Sequence, residues 1–173
     1  MKKILCFLLC ICSCSVGHSQ FTKAVVAIDG LTCSACSYAT QRSVLQLDFV
    51  EDVTMDLNSH QATILFKKDK MVSMEKIAEK VVDAGFSVGG MTAEINLKKI
   101  SISKDFCLEY EGAIYHFIST ENKELNGLVG LQFIGPRYMR KKDFKKYKSM
   151  LSTPCKSLDK SNPVSTIYFV IPA

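Results

Sequence analysis

Gly30-Leu31-Thr32-Cys33-Ser34-Ala35-Cys36 follows an alternating run, Lys23 to Asp29, and leads into a stretch from Ser34 that can be helical. A turn at Gly30 with a helix starting at Ser34 places two thiols at a helix N-terminus, where unpaired backbone N–H groups and the macrodipole favour negative charge. Both thiols then ionise more readily than a free cysteine. Thiolates are soft ligands that select Cu(I), Zn(II) and similar ions, so the first expectation is a small metal-binding site, not a catalytic one.

Outward from this loop the pattern is regular. Ala24, Val26 and Ile28 share one face of a first strand. Ser34 to Leu47 reads as a helix with Ala39, Ser43, Val44 and Leu47 turned inward, on a face that Ser37 and Thr40 make unusually polar. Val53, Met55 and Leu57 alternate with polar residues, as do Ala62, Ile64 and Phe66 after Asn58-Ser59, which predicts a hairpin. Ser73 is an N-cap for a second helix carrying Ile77, Ala78, Val81, Val82 and Ala84, and Gly85 ends it. A short strand from Phe86 to Val88 completes the order βαββαβ. The fold class is α+β, with two helices on one face of a ferredoxin-like sheet.

Residues 23–91 resemble the heavy-metal-associated domain of copper chaperones, of the N-terminal modules of copper-pumping ATPases and of periplasmic mercury-binding proteins. The loop from Gly30 to Cys36 matches that family's Gly-Met-Thr-Cys-x-x-Cys signature, and Asp83-Ala84-Gly85-Phe86 matches its Asp-Ala-Gly-aromatic ending. Leu31 replaces the usual Met, a volume-conserving change. Ser37 stands where an apolar residue is usual, and Phe49 where Gly is common. The resemblance implies that Cys33 and Cys36 are the metal ligands, with Thr32 and Phe86 lining the site, and that a donor or acceptor protein exchanges the ion.

Two sulfurs on one side of such a turn can stand about 4.5 Å apart, twice a metal–sulfur bond of about 2.3 Å, so both can grip one ion from opposite sides. That geometry suits Cu(I) and equally Hg(II), with Zn(II) a further option. The alternatives are a thiol–disulfide oxidoreductase using the same CxxC and an interaction module whose pair is inert or disulfide-closed. Against the redox reading, the chain contains no Trp, and no Pro lies between the cysteines. No Gly-rich phosphate loop, HExxH or G-x-S-x-G occurs, so no enzyme is expected.

Met1-Lys2-Lys3 followed by the apolar run Ile4 to Cys12 reads as an export signal over residues 1–19, cleaved after Ser19. A rival reading makes Cys14 a lipidated N-terminus, and both direct the chain out of the cytoplasm to the periplasm or medium. Losing Lys2 and Lys3 lowers the formal net charge from +5 by two, to +3. The basic excess lies in Arg137 to Lys148, a solvated helix face or a membrane-surface contact, and nucleic acid is not an expected partner of an exported chain.

The expected division is a metal-associated domain over 20–92 and a β-rich domain with one helix over 93–173. In the second part, extended runs are expected around Ile95–Ile102, Cys107–Ser119, Gly127–Ile134 and Ser165–Ile171, and a helix over Arg140–Leu151. Tyr110 to Phe117 is faintly similar to a Tyr-x-Gly-x-x-Tyr-x-Phe run of the small YHS metal-associated domains, with Ile118 where those place a Cys. Cys107 and Cys155 are expected as a structural disulfide in an oxidising compartment, with free thiols or an accessory metal site as alternatives. His60 and His116 read as isolated histidines, and Met91 and Met139 as packing residues before thioether ligands.

Overall fold

The computed structural model describes residues 21–110, 112–118, 122–152, 155 and 166–173. The signal reading and the lipidation of Cys14 lie outside the described residues.

The first half follows the predicted order. Phe21–Asp29 forms β1, with Phe21, Ala24, Val26 and Ile28 buried; a bulge between Phe21 and Lys23 lets Phe21 and Ala24 both face inward despite their odd spacing. Helix α1, Ser34–Val44, buries Ser37, Thr40 and Val44. Ala39, expected inside, is exposed, because the i, i+3, i+7 row of 37, 40 and 44 already faces the sheet. The polar row is tolerated in part because the Thr40 hydroxyl donates to the Cys36 carbonyl at 3.1 Å. Strands β2, Val50–Asp56, and β3, Gln61–Phe66, pair as the hairpin, and β3 returns alongside β1. Leu57 is exposed, beyond the end of β2. Helix α2, Met74–Asp83, is capped by the Ser73 hydroxyl accepting from the Lys76 N–H and stops at Gly85, whose φ of 90° is the left-handed conformation glycine adopts freely. Ile77, Ala78 and Val81 are buried, whereas Val82 faces solvent.

The short strand expected at Phe86–Val88 is instead the 16-residue strand β4, Ser87–Ile102. Its inward residues Val88, Met91, Ala93, Ile95 and Leu97 continue past a register shift at Ala27/Ile28 of β1, so nothing in the apolar pattern ends it. Position 92/93, the expected domain boundary, lies where β4 is paired on both edges: Thr92 is opposite Val25 of β1 and Gln132 of a strand over Lys123–Ile134. Strands β5 (Phe106–Tyr110), β6 (Ala113–Phe117), β7 (Lys123–Ile134) and β8 (Thr166–Pro172) extend the same sheet. Among the described residues the sheet has eight strands in the order β2-β3-β1-β4-β7-β8-β6-β5, with β8 parallel to β6.

One core runs through both halves. Phe21 of β1 contacts the rings of Tyr115 and Phe133 at 6.0 and 5.8 Å, and Phe133 meets Tyr168 edge-on at 5.2 Å. The Tyr168 hydroxyl donates to Glu75 Oε2 of α2 at 2.8 Å. The alternation of β6, β7 and β8 sends Ile118, Ile134, Phe169 and Ile171 to the opposite face, into a second cluster with Met139, Phe144, Tyr147 and Leu151. Those last three residues, at i, i+3 and i+7, pack on the sheet together. The single helix expected over Arg140–Leu151 is instead a short α3, Lys141–Phe144, and a 3₁₀ turn, Lys148–Ser152. Two like-charge i, i+4 pairs, Lys141 with Lys145 and Lys142 with Lys146, oppose a continuous α-helix there.

Phe133 sits at the junction of the halves, fully buried. Phe133→Ala should cost about 3–5 kcal/mol, read as a lower urea midpoint that is the same for probes in α1 and in β6. A loss confined to the C-terminal probe would mean that the two halves unfold independently.

Candidate metal centre

The loop between β1 and α1 is held from below. Gly30 has φ of 90°, and a Cβ there would stand 3.5 Å from Phe86 Cδ1, so the Phe86 ring lies directly under the turn. Leu31 is fully buried and anchors the loop in the core. The Ile28 N–H donates to the His60 carbonyl at 2.9 Å, which ties the end of β1 to the β2–β3 turn.

Cys33 is the N-cap of α1, in an extended conformation, and its Sγ accepts from the Cys36 N–H at 3.2 Å. The Ser37 N–H donates to the Cys33 carbonyl at 3.1 Å, the first bond of the helix. Both sulfurs therefore lie at the positive end of α1, and no acidic residue occupies its first turn to compete for that field. Cys33 is exposed and Cys36 half-buried against the core. Their Cα atoms are 5.2 Å apart and the sulfurs are joined as a disulfide. Two-electron reduction would release two thiolates on the same side of the turn, a donor set that fits a soft ion. Thr32 lies exposed beside Cys33 and Phe86 half-buried beneath the loop, so all four predicted residues of the first half come together.

The other residues singled out in the sequence belong to other elements. Met91 is buried in β4 and Met139 in the second cluster, so both are packing residues. His60 is exposed in its turn. Cys107 and Cys155 are joined as a disulfide with Cα atoms 5.9 Å apart.

Sequence reasoning missed a tether from the C-terminal half to this loop. Arg140 Nε donates to Asp29 Oδ2 at 2.7 Å and Oδ1 at 3.0 Å, and Nη2 also donates to Oδ1. Asp29 immediately precedes Gly30. Gly89 of β4 makes room for the pair, since a Cβ there would come within 2.8 Å of Asp29 Oδ1. The partners are 111 residues apart, and neither belongs to a motif that signals the other.

The profile of the heavy-metal-associated domain matches residues 25–87. The chain is 31% identical over 91 residues, 52% of its length, to the copper-transporting ATPase HMA5 of Oryza sativa subsp. japonica, of which it covers only 9%. It is 34% identical over 66 residues, 38% of its length, to the copper chaperone CopZ of Bacillus subtilis, covering 94% of that protein. It is 26% identical over 86 residues, 50% of its length, to the periplasmic component of mercuric transport of Pseudomonas fluorescens, covering 93% of it. Among solved structures, a copper-binding domain from the P-type ATPase HMA7 superposes with a TM-score of 0.36 at 30% identity, covering 39% of this chain and 89% of that one. Through residues 25–87, the chain belongs to the heavy-metal-associated domain family.

The Arg140 hydrogen bonds, opposed by partial desolvation, hold the Asp29 carboxyl below the usual carboxylate range. A depressed folded pKa adds stability above the unfolded value, and that contribution is lost as pH falls through the folded value. The side chains are 36% and 46% exposed, so Asp29→Asn should cost no more than about 1 kcal/mol at neutral pH. In urea titrations its deficit against the parent should disappear in acid, below the carboxylate range. A deficit that persists there unchanged would trace to shape and not to charge.

Proposed function

We propose that the reduced Cys33–Cys36 pair binds a single Cu(I) and hands it to, or takes it from, a partner protein. The observation that carries this reading is the placement of both sulfurs at the N-terminus of α1, one exposed and one backed by the core. The copper chaperone and copper ATPase named above support the choice of ion. Two thiolates leave the metal open to a third ligand, so an incoming thiolate can attack and carry the ion off without releasing it to water. Phe86 keeps water from the inner side of the loop. The role is one of carrying, buffering or detoxification, without catalysis. Hg(II) has the same linear preference and the mercuric transport relative makes it the second ion to test; Zn(II) is the third.

The leader-like residues 1–19 and the periplasmic relative support work outside the cytoplasm, soluble after cleavage or anchored through Cys14. No described helix is long and apolar enough to cross a membrane. The C-terminal half, with its basic segment Arg137 to Lys148, supplies the surface that selects partner or location.

Under anaerobic reducing conditions the full chain should bind one Cu(I) at this loop, and Cys33→Ser should weaken competition against a chromophoric Cu(I) chelator by at least about 100-fold, more than the loss of an outer-shell group costs. Equal competition by parent and variant would exclude the site. The disulfide between Cys33 and Cys36 gives the redox reading an observation of its own. Turnover of insulin disulfides by the reduced chain, absent in Cys36→Ser, would favour that reading over carriage.

A further inference from the structure

A second donor set lies on the far edge of the sheet. Cys107 of β5 and His116 of β6 are directly opposite each other in the antiparallel pair, so their side chains share a face. The ligand atoms of Cys107, His116 and Cys155 all lie within 4.8 Å of one another. His116 is 1% exposed, its ring tilted against Phe169 with centroids 5.2 Å apart, and its Nε2 has no hydrogen-bond partner among the described residues. An unpaired buried nitrogen is costly, and native structures rarely leave one without a use. Asp105 sits in the left-handed region in the turn before β5, which brings its Oδ1 to 3.6 Å from His116 Nε2, beyond a hydrogen bond but close enough to favour a cation there. Cys155 is half-buried and leaves an approach from solvent.

We infer that Cys107, Cys155 and His116 form a redox-gated site for a borderline divalent ion of the Zn(II) type, separate from the loop at Cys33. Two thiolates and an imidazole are a donor set that zinc accepts with a fourth position left open. The site is closed while Cys107 and Cys155 are bonded. A dithiol reductant opens it: the Cys107–Cys155 S–S bond breaks, each sulfur gains an electron and a proton, and the reductant leaves as its own disulfide. Zn(II) then displaces one proton from each thiol and binds His116 Nε2. Nε2 of His116, without a hydrogen-bond partner in the oxidised state, gains the metal as a partner in the metal-bound state. This site does not depend on the Cu(I) reading, because it shares no residue with the Cys33 loop.

The test uses the full chain with Cys33→Ser and Cys36→Ser, which removes the first pair. Reduced with a non-chelating phosphine, it should bind one Zn(II), and Co(II) in its place should give thiolate-to-cobalt charge-transfer absorption; the oxidised chain should bind neither. His116→Gln should weaken zinc binding by more than about 100-fold, since outer-shell partners alone are worth about 10–100-fold. Zinc should also protect Cys107 and Cys155 from iodoacetamide in the chain that keeps all three donors, a measurement that needs no variant at the site. The inference is overturned if the reduced chain takes up no zinc, if a fold lost on reduction is not restored by zinc, if His116→Gln binds as the parent does, or if zinc leaves alkylation unchanged.

Discussion

The hydrogen-bonded ladder on both edges of β4 is the constraint on which the rest of the molecule depends. β1 occupies one edge of this strand and β7 the other, and from Thr92 to Ile95 both are present at once. A buried strand with both rows of N–H and C=O groups satisfied is a poor place for a hinge. The orientation of the C-terminal strands against the βαββ elements therefore follows from β4, and so does the aromatic cluster of Phe21, Tyr115, Phe133 and Tyr168 that fills the angle between them. A C-terminal half of this size would have a marginal core alone. Sharing a sheet and a core with the first half removes that difficulty.

The consequence for the thiol loop is mechanical. Its base rests on Leu31 and on Phe86 from the far end of the βαββαβ unit, and its N-terminal side is also gripped by Arg140 through Asp29. The segment that carries Arg140 is itself held by Tyr138, whose ring packs on Phe133, and by Met139 in the second cluster. Contacts made by the C-terminal half are thereby linked to the loop through a short chain of packed groups. Burial, followed by the nearby Glu75 carboxylate, raises the pKa of the Tyr138 hydroxyl, so this support stays neutral across ordinary pH. At the far edge of the sheet, the Cys107–Cys155 bond ties Cys155 to the edge strand β5. The two cysteine pairs thus stand apart, one at a helix start after the interior strand β1 and one on the edge strand β5.

Much of this was legible from local pattern because the underlying preferences are local. Alternation set β1, β2 and β3, Ser73 and Gly85 bracketed α2, and the cysteines at a three-residue spacing located the start of α1. The failures share a physical origin in competition between neighbours in space. Ala39 lost the inner face of α1 to Ser37 and Thr40 because the sheet lies on the other side of the helix. The predicted end of β4 depended on an unseen partner, since a strand continues for as long as another strand satisfies its free edge. The helix over Arg140–Leu151 broke where lysines one turn apart repel, although its apolar residues kept their task.

By itself the sequence determined the βαββαβ order, the helix-start position of Cys33 and Cys36, and the face on which most core residues lie, because periodicity and capping act within a few residues. Only the tertiary structure decided that the second half completes the first half's sheet, that β8 inserts between β7 and β6, that Arg140 reaches Asp29, and that His116 stands beside Cys107 and Cys155. Each of these depends on strand partners or side chains far apart in the chain. Their pairing is chosen by the burial of a common core, and no local propensity encodes it.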